Sequence, residues 1–132
     1  MVGTPSETRR IRSSEQAAAL FAETFRDAGT EELRTAYLDS NRFLIALRLH
    51  GVGSARGVDL PIRSIVEEAL MLGSHGLLIA HNHPSGDPTP SRADIAATRV
   101  LAGVAGPLGI RFYDHLIFGG KGWLSLMAQG LL

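Results

Sequence analysis

His81 and His83 stand one residue apart and follow an apolar run, Gly76-Leu77-Leu78-Ile79-Ala80, that reads as a short buried strand. Side chains alternate along a strand, so the two imidazoles project to the same side and can reach one cation. The following segment, Pro84-Ser85-Gly86-Asp87-Pro88-Thr89-Pro90, is too rich in Pro and Gly to continue the strand, and the chain must turn there. It returns at Ser91-Arg92-Ala93-Asp94, where a helical pattern begins and Asp94 falls in the first turn. Two neutral imidazoles and one carboxylate, with a fourth position left for water, form the ligand set of a catalytic rather than a structural zinc site. The same donors could hold iron or manganese. Each piece also has a plainer reading. Ser91 is a good N-cap, Asp94 is favoured in a first turn by the helix dipole, and Asn82, Pro84 and Gly86 are ordinary loop formers. Taken alone, the helix-cap reading of Ser91 and Asp94 prevails, and a lone His-x-His is more often incidental than metal-binding.

The elements that must position these residues belong to one domain. At 132 residues the chain can bury a core without disulfides, and 45% hydrophobic with 20% charged residues fits a globular protein. The absence of cysteine excludes Cys-rich zinc fingers, a thiol nucleophile and the cytidine-deaminase type of zinc site, which needs Cys ligands. Thirteen basic residues balance thirteen acidic ones, whereas a free-standing DNA binder usually carries a basic excess. No segment reaches the apolar length of a membrane span and no leader pattern opens the chain, so a cytoplasmic protein is expected.

Residues 1–12 read as a loose lead-in, with Arg9, Arg10 and Arg12 a solvated charged arm rather than a nucleic-acid contact. Ser13 with Gln16 predicts a capping box opening a helix whose apolar stripe is Ala17, Leu20, Phe21, Phe25 and Ala28, closed by Gly29. Leu33–Leu38 and Phe43–Leu49 flank an Asp/Asn turn and predict a hairpin. Gly51-Val52-Gly53 and Gly57 form a flexible connection towards Val58–Leu60, and His50 reads as a surface or loop histidine. Ile62, Ile65, Val66, Ala69 and Leu70 stripe a second helix ending near Gly73. A third, striped by Ile95, Thr98, Val100, Leu101 and Val104, stops at Gly106-Pro107. Ile110–Tyr113 and His115–Phe118 read as two short strands, and Trp123–Gln129 as a C-terminal helix. His75 is ordinary, and His115 is expected to make a structural hydrogen bond, although it could approach the site. Strands interspersed with helices indicate an α/β domain with a mixed central sheet flanked by helices.

His-x-His, seven residues, then Ser-x-x-Asp resembles the metal-binding signature of the JAB/MPN (JAMM) metalloprotease superfamily. The His-Asn-His-Pro-Ser-Gly form, Pro90-Ser91 and Asp114-His115-Leu116-Ile117 resemble its RadC branch, over most of the chain from about the first helix onwards. The resemblance implies a single JAB/MPN-type domain over 13–132, of cytidine-deaminase-like architecture. It implies Zn2+ held by His81, His83 and Asp94, and hydrolysis of an amide, peptide or isopeptide bond by a metal-activated water. A glutamate near the start of the first strand is the family's general base. Counting back from Leu38-Asp39-Ser40 gives that role to Glu31, with Glu32, one register away, as the alternative. Ser91 would donate a hydrogen bond to the developing oxyanion.

The family's Pro-Arg-Glu-Ile start to the second helix is altered here to Leu60-Pro61-Ile62-Arg63-Ser64-Ile65, so any role of that acid is lost. Longer members carry an N-terminal helix-hairpin-helix-like region for which this sequence leaves no room, and any DNA contact it provides is expected to be missing. The partners implied are a peptide or protein substrate and no membrane, with a homo-oligomer left open. The alternative function is a DNA-repair-associated accessory module, the RadC family's traditional link, and a third is a non-catalytic interaction domain. A nuclease would usually gather more carboxylates. No Gly-rich phosphate loop is present, so nucleotide cofactors are not expected.

Overall fold

The computed structural model describes residues 9–26, 28–52, 60–120 and 122–132. Five strands, β1 (Glu32–Leu38), β2 (Leu44–Val52), β3 (Gly76–Asn82), β4 (Arg111–Gly119) and β5 (Gly122–Ser125), form one sheet in the order β2-β1-β3-β4-β5. β3 pairs antiparallel with β1 and parallel with β4, so the sheet is mixed, as expected. Helix α1 (Ser14–Ala22) covers one face, where Leu20 and Phe21 pack on Ala36, Leu38, Leu78 and Leu116. Helices α2 (Ile62–Met71) and α3 (Arg92–Ala105) cover the other, where Ile65, Ala69, Leu101 and Ala105 pack on Leu33, Tyr37, Leu77 and Ile79. Apolar layers on both faces explain why β3 is buried at every residue and why its sequence is a continuous apolar run.

The chain departs from the sequence reading at several points. Of the loose lead-in expected over residues 1–12, the described part is tied down: Arg10 bridges Phe43, and Ile11 is buried and donates its N–H to Arg42 O at 2.9 Å. Residues 1–8, the run 53–59 and Lys121 lie outside the described residues, and with them the expected connection through Gly53 and Gly57 to Val58. Ser13 caps α1, but Gln16 Oε1 accepts from Arg12 N–H at 2.6 Å rather than closing the box on Ser13. The helix ends at Ala22, and a 3-10 turn over Glu23–Phe25 follows it before Gly29. Leu70, Val100 and Val104 are exposed; Ala105 takes the core position instead. Both helical stripes are narrower than their apolar residues suggest, because helix position, not apolarity, decides which residues face the sheet.

The two short strands expected around Asp114 are one. Leu77 pairs with Phe112 but Leu78 with Asp114, leaving Tyr113 as the extra residue of a β-bulge. The Tyr113 ring lies where a Cβ on Gly76 would be, which excludes a side chain there. The expected helix over Trp123–Gln129 is instead β5 followed by turns. Pairing with β4 (Phe118 opposite Trp123, Leu116 opposite Ser125) holds the start of the segment as a strand, tertiary context overriding its helical composition.

Candidate metal centre

β3 ends at Asn82, and the turn after it is fixed by backbone bonds. His83 N–H donates to Phe118 O at 2.7 Å, Gly86 N–H to His83 O at 2.9 Å, and Gly120 N–H to Gly86 O at 3.0 Å. Asp87 folds the next residues by accepting on Oδ1 from Thr89 N–H and Oγ1–H, which hold its carboxyl below the usual range. The chain then enters α3 through a full capping box: Ser91 Oγ accepts from Asp94 N–H and Asp94 Oδ2 from Ser91 N–H, both at 2.9 Å.

This frame brings the residues singled out in the sequence together. His81 Nε2 and His83 Nε2 face each other at 2.8 Å. Asp94 Oδ2 lies 3.7 Å from the first and 3.8 Å from the second, and Glu31 Oε1 lies 3.6 and 3.7 Å from them. Two imidazole nitrogens that close repel unless a proton or a cation stands between them. Bonds of about 2.0–2.1 Å to a tetrahedral ion would set ligand atoms roughly 3.3 Å apart, so these separations suit one small cation. His83 Nδ1 donates to the carbonyl of Asp87 at 2.7 Å, which leaves its Nε2 lone pair for the metal. Glu31, His81 and His83 alone form a cluster that could hold a metal ion, every ligand atom lying within 4.8 Å of the others.

Of the two glutamates, Glu31 faces the histidines, while the Glu32 carboxylate bonds Arg34 Nη2 at 2.9 Å. Asn82, read from sequence as a loop former, sets this choice. Its Oδ1 accepts from Glu32 N–H at 2.7 Å and its Nδ2 donates to Thr30 O at 3.1 Å, so it grips the chain on both sides of Glu31. The signal for this was the position of Asn82 between the two histidines, which puts its side chain on the face opposite theirs. Ser91 is exposed at the mouth of the site and uses its oxygen as the helix cap, which leaves the hydroxyl proton free to donate.

Burial and the neighbouring charges set the electrostatics. Burial pushes the His81 pKa down to about 4, against the pull of Asp94 and with the help of His83. His115 lies well below the ordinary histidine value for the same first reason, so both rings are neutral and able to serve as ligands or acceptors. Burial raises the Glu31 carboxyl; His83 opposes this and Asp94 adds to it. His115, expected to make a structural bond, touches the site: its Nε2 is 2.6 Å from His81 Nδ1. The adjacent Asp114 faces away, towards α1, with its oxygens taken by His115 N–H, Met127 N–H, Ser125 Oγ–H and Ser14 Oγ–H. Beside His83 lies a cleft of about 300 Å³ whose lining includes Asn82, Pro84 and the packed rings of Phe25 and Phe118.

A family model described as RadC-like JAB domain matches residues 11–131. The chain is similar to a UPF0758 protein of Rhodobacter capsulatus, 41% identical over 125 residues that cover 94% of this chain and 58% of the relative. A UPF0758 protein of Methanococcoides burtonii is 36% identical over 129 residues, covering 98% of this chain and 56% of the relative. One from Ruegeria pomeroyi is 41% identical over 103 residues, covering 78% and 46%. The chain spans about half the length of the curated relatives it matches. With the match running from the buried Ile11 to the turn after β5, and both histidines and Asp94 inside it, the chain belongs to the RadC-like JAB domain family.

Proposed function

We propose that this domain is a metal-dependent hydrolase that cleaves amide bonds, peptide or isopeptide, with zinc as its ion. The observation that carries the reading is the convergence of two imidazole nitrogens and two carboxylates, none more than 3.8 Å from its imidazole neighbour. Distance alone does not separate the roles of the two carboxylates. Asp94 is assigned as third ligand beside His81 and His83 because its Oδ2 is already held by Ser91 N–H, which orients it rigidly. Glu31 is then the base. Its Oε1 faces both imidazoles, is engaged by no backbone donor among the described residues, and so is available to take and return a proton. Bound zinc supplies an electrophile and acidifies water to a pKa of about 7. Glu31 Oε1 accepts the proton of the attacking water and delivers it to the leaving amine. The Ser91 hydroxyl donates to the carbonyl oxygen as negative charge develops on it. The cleft beside His83 receives the peptide or protein substrate.

Elemental analysis of protein purified without added metal tests this. Near-stoichiometric zinc is expected in wild type and none in His83→Ala or Asp94→Ala, with chelator-sensitive cleavage in a peptide library. A well-folded wild type that takes up no metal on titration would overturn the reading and leave Ser91 and Asp94 as a helix cap. Salt-dependent retardation of duplex or branched DNA without amide cleavage would move the function to a DNA-associated module.

A further inference from the structure

We propose that Thr98 and His115 are positioning residues for the metal centre: with the backbone of Asp94 they form a one-way hydrogen-bond chain that fixes the tautomer of His81. The inference deepens the proposed function and rests on it for the metal, but its structural core concerns the chain alone.

The direction of each bond follows from the one before it. The carbonyl of Asp94 can only accept, and Thr98 Oγ1 lies 2.6 Å from it, so the single hydroxyl proton of Thr98 is committed there. Thr98 Oγ1 is also 2.7 Å from His115 Nδ1, and having spent its proton it must accept; His115 therefore carries hydrogen on Nδ1. His115 is only 3% exposed and no carboxylate pairs with it among the described residues, so the ring is neutral and its Nε2 is an acceptor. That nitrogen lies 2.6 Å from His81 Nδ1, which must donate. His81 is thereby left with a bare lone pair on Nε2, the atom that faces His83 and Asp94.

The chain is also closed in space. It starts at the backbone of Asp94, crosses from α3 to β4 at His115, and ends at His81 on β3. The Asp94 carboxylate and the His81 ring then meet again at the site, so two of the assigned ligands are bound to each other behind it. A helix and two strands are held at one separation by groups that a hydrophobic core would not need to be polar. His83 reaches the same tautomer separately, through Asp87 O.

Nitrogen-15 NMR of the metal-free protein reads which ring nitrogen of His81 bears the proton, and zinc titration against a chromophoric chelator reads affinity. Wild type is expected to show the Nδ1–H form. Thr98→Val, which keeps the shape and removes the hydroxyl, is expected to mix the His81 tautomers and weaken zinc about 10–100-fold, the usual effect of losing such a partner. Thr98→Ser is expected to restore both. His115→Phe should act as Thr98→Val does, and His115→Gln, which keeps an acceptor for His81, should recover part of the loss. Because His115→Phe can fail by misfolding, the Thr98 pair carries the decision, each variant checked by circular dichroism. An Nε2–H tautomer in wild type, or a folded Thr98→Val with unchanged tautomer and unchanged zinc affinity, would overturn the inference. A wild type that binds no zinc would refute the proposed function, while the tautomer measured in metal-free protein would still decide this one.

Discussion

Two histidine clusters sit on the same face of the sheet, beneath α2 and α3, and they differ in what closes them. His50 stands on β2 as the extra residue between the Leu33–Gly51 and Arg34–Leu49 pairs, and its Nε2 meets the Tyr37 hydroxyl at 2.7 Å with Glu68 at 3.5 Å. One nitrogen finds one hydroxyl, and the ring edge packs on the Tyr37 ring. His81 and His83 instead point two acceptor nitrogens at each other with carboxylates beyond them. The first cluster closes His50 on a hydroxyl, although Glu68 Oε1 finds no hydrogen-bond partner among the described residues; the second turns two acceptor nitrogens towards one point that could hold a metal ion. A histidine is chemically available when the protein satisfies one nitrogen from behind and leaves the other facing its own kind.

Removing a ligand should give the largest separation between the clusters. His81→Ala is expected to abolish zinc content by elemental analysis, while His50→Ala retains it. Next comes Glu31→Gln, which keeps shape and metal but removes the base; amide cleavage should fall about 10²–10⁴-fold with metal content unchanged. Ser91→Ala is expected to cost on the order of 10²–10³ in rate and about 1 kcal/mol of stability from the lost cap, separable by kinetics and denaturant titration. On the closed side, Tyr37→Phe removes a fully buried hydroxyl and should cost about 1–3 kcal/mol in denaturant unfolding without touching zinc.

The smallest effect expected is one of pH, in metal-free protein. Burial holds the folded-state pKa of His81 at about 4, below the ordinary histidine value of 6.5. The stability that goes with its neutral form is therefore present above 6.5 and is lost as pH falls towards 4. His115, also lowered, adds in the same direction, and Glu31, raised above 4.5, works against them at the acid end. Denaturant midpoints measured across that window should fall with pH, and a flat profile would show that the rings are not held neutral.

Much of this was legible in the sequence because the site is built on local order. Two histidines at the end of an apolar strand must share a side, and Ser91-x-x-Asp94 is a capping box whatever else it does. The hairpin and the mixed sheet followed from the order of apolar runs and helices, whereas the choice between Glu31 and Glu32 stayed open until Asn82 was seen to hold the chain on both sides of Glu31. What stayed hidden depended on pairing between distant segments. Asn82 grips Thr30 and Glu32 from fifty or more positions away, and His115 reaches His81 only because β4 lies beside β3. Trp123–Gln129 has helical composition on its own, and pairing with the edge of β4 makes its first residues a strand. His50 lies at a bulge, which no periodicity announces.

The bulge at Tyr113 carries a consequence of its own. A strand normally shows each side alternate residues, so neighbours such as Asp114 and His115 have fixed destinations once the count begins at Phe112, which packs beneath α2 and α3. One unpaired residue inverts the parity of everything downstream. Asp114 turns to α1 and His115 to the histidines; without it the two would trade places, and a carboxylate would lie behind His81. The behaviour of the site is thus set partly by a count, and a one-residue deletion ahead of Asp114 would rewrite it while leaving every ligand in the sequence.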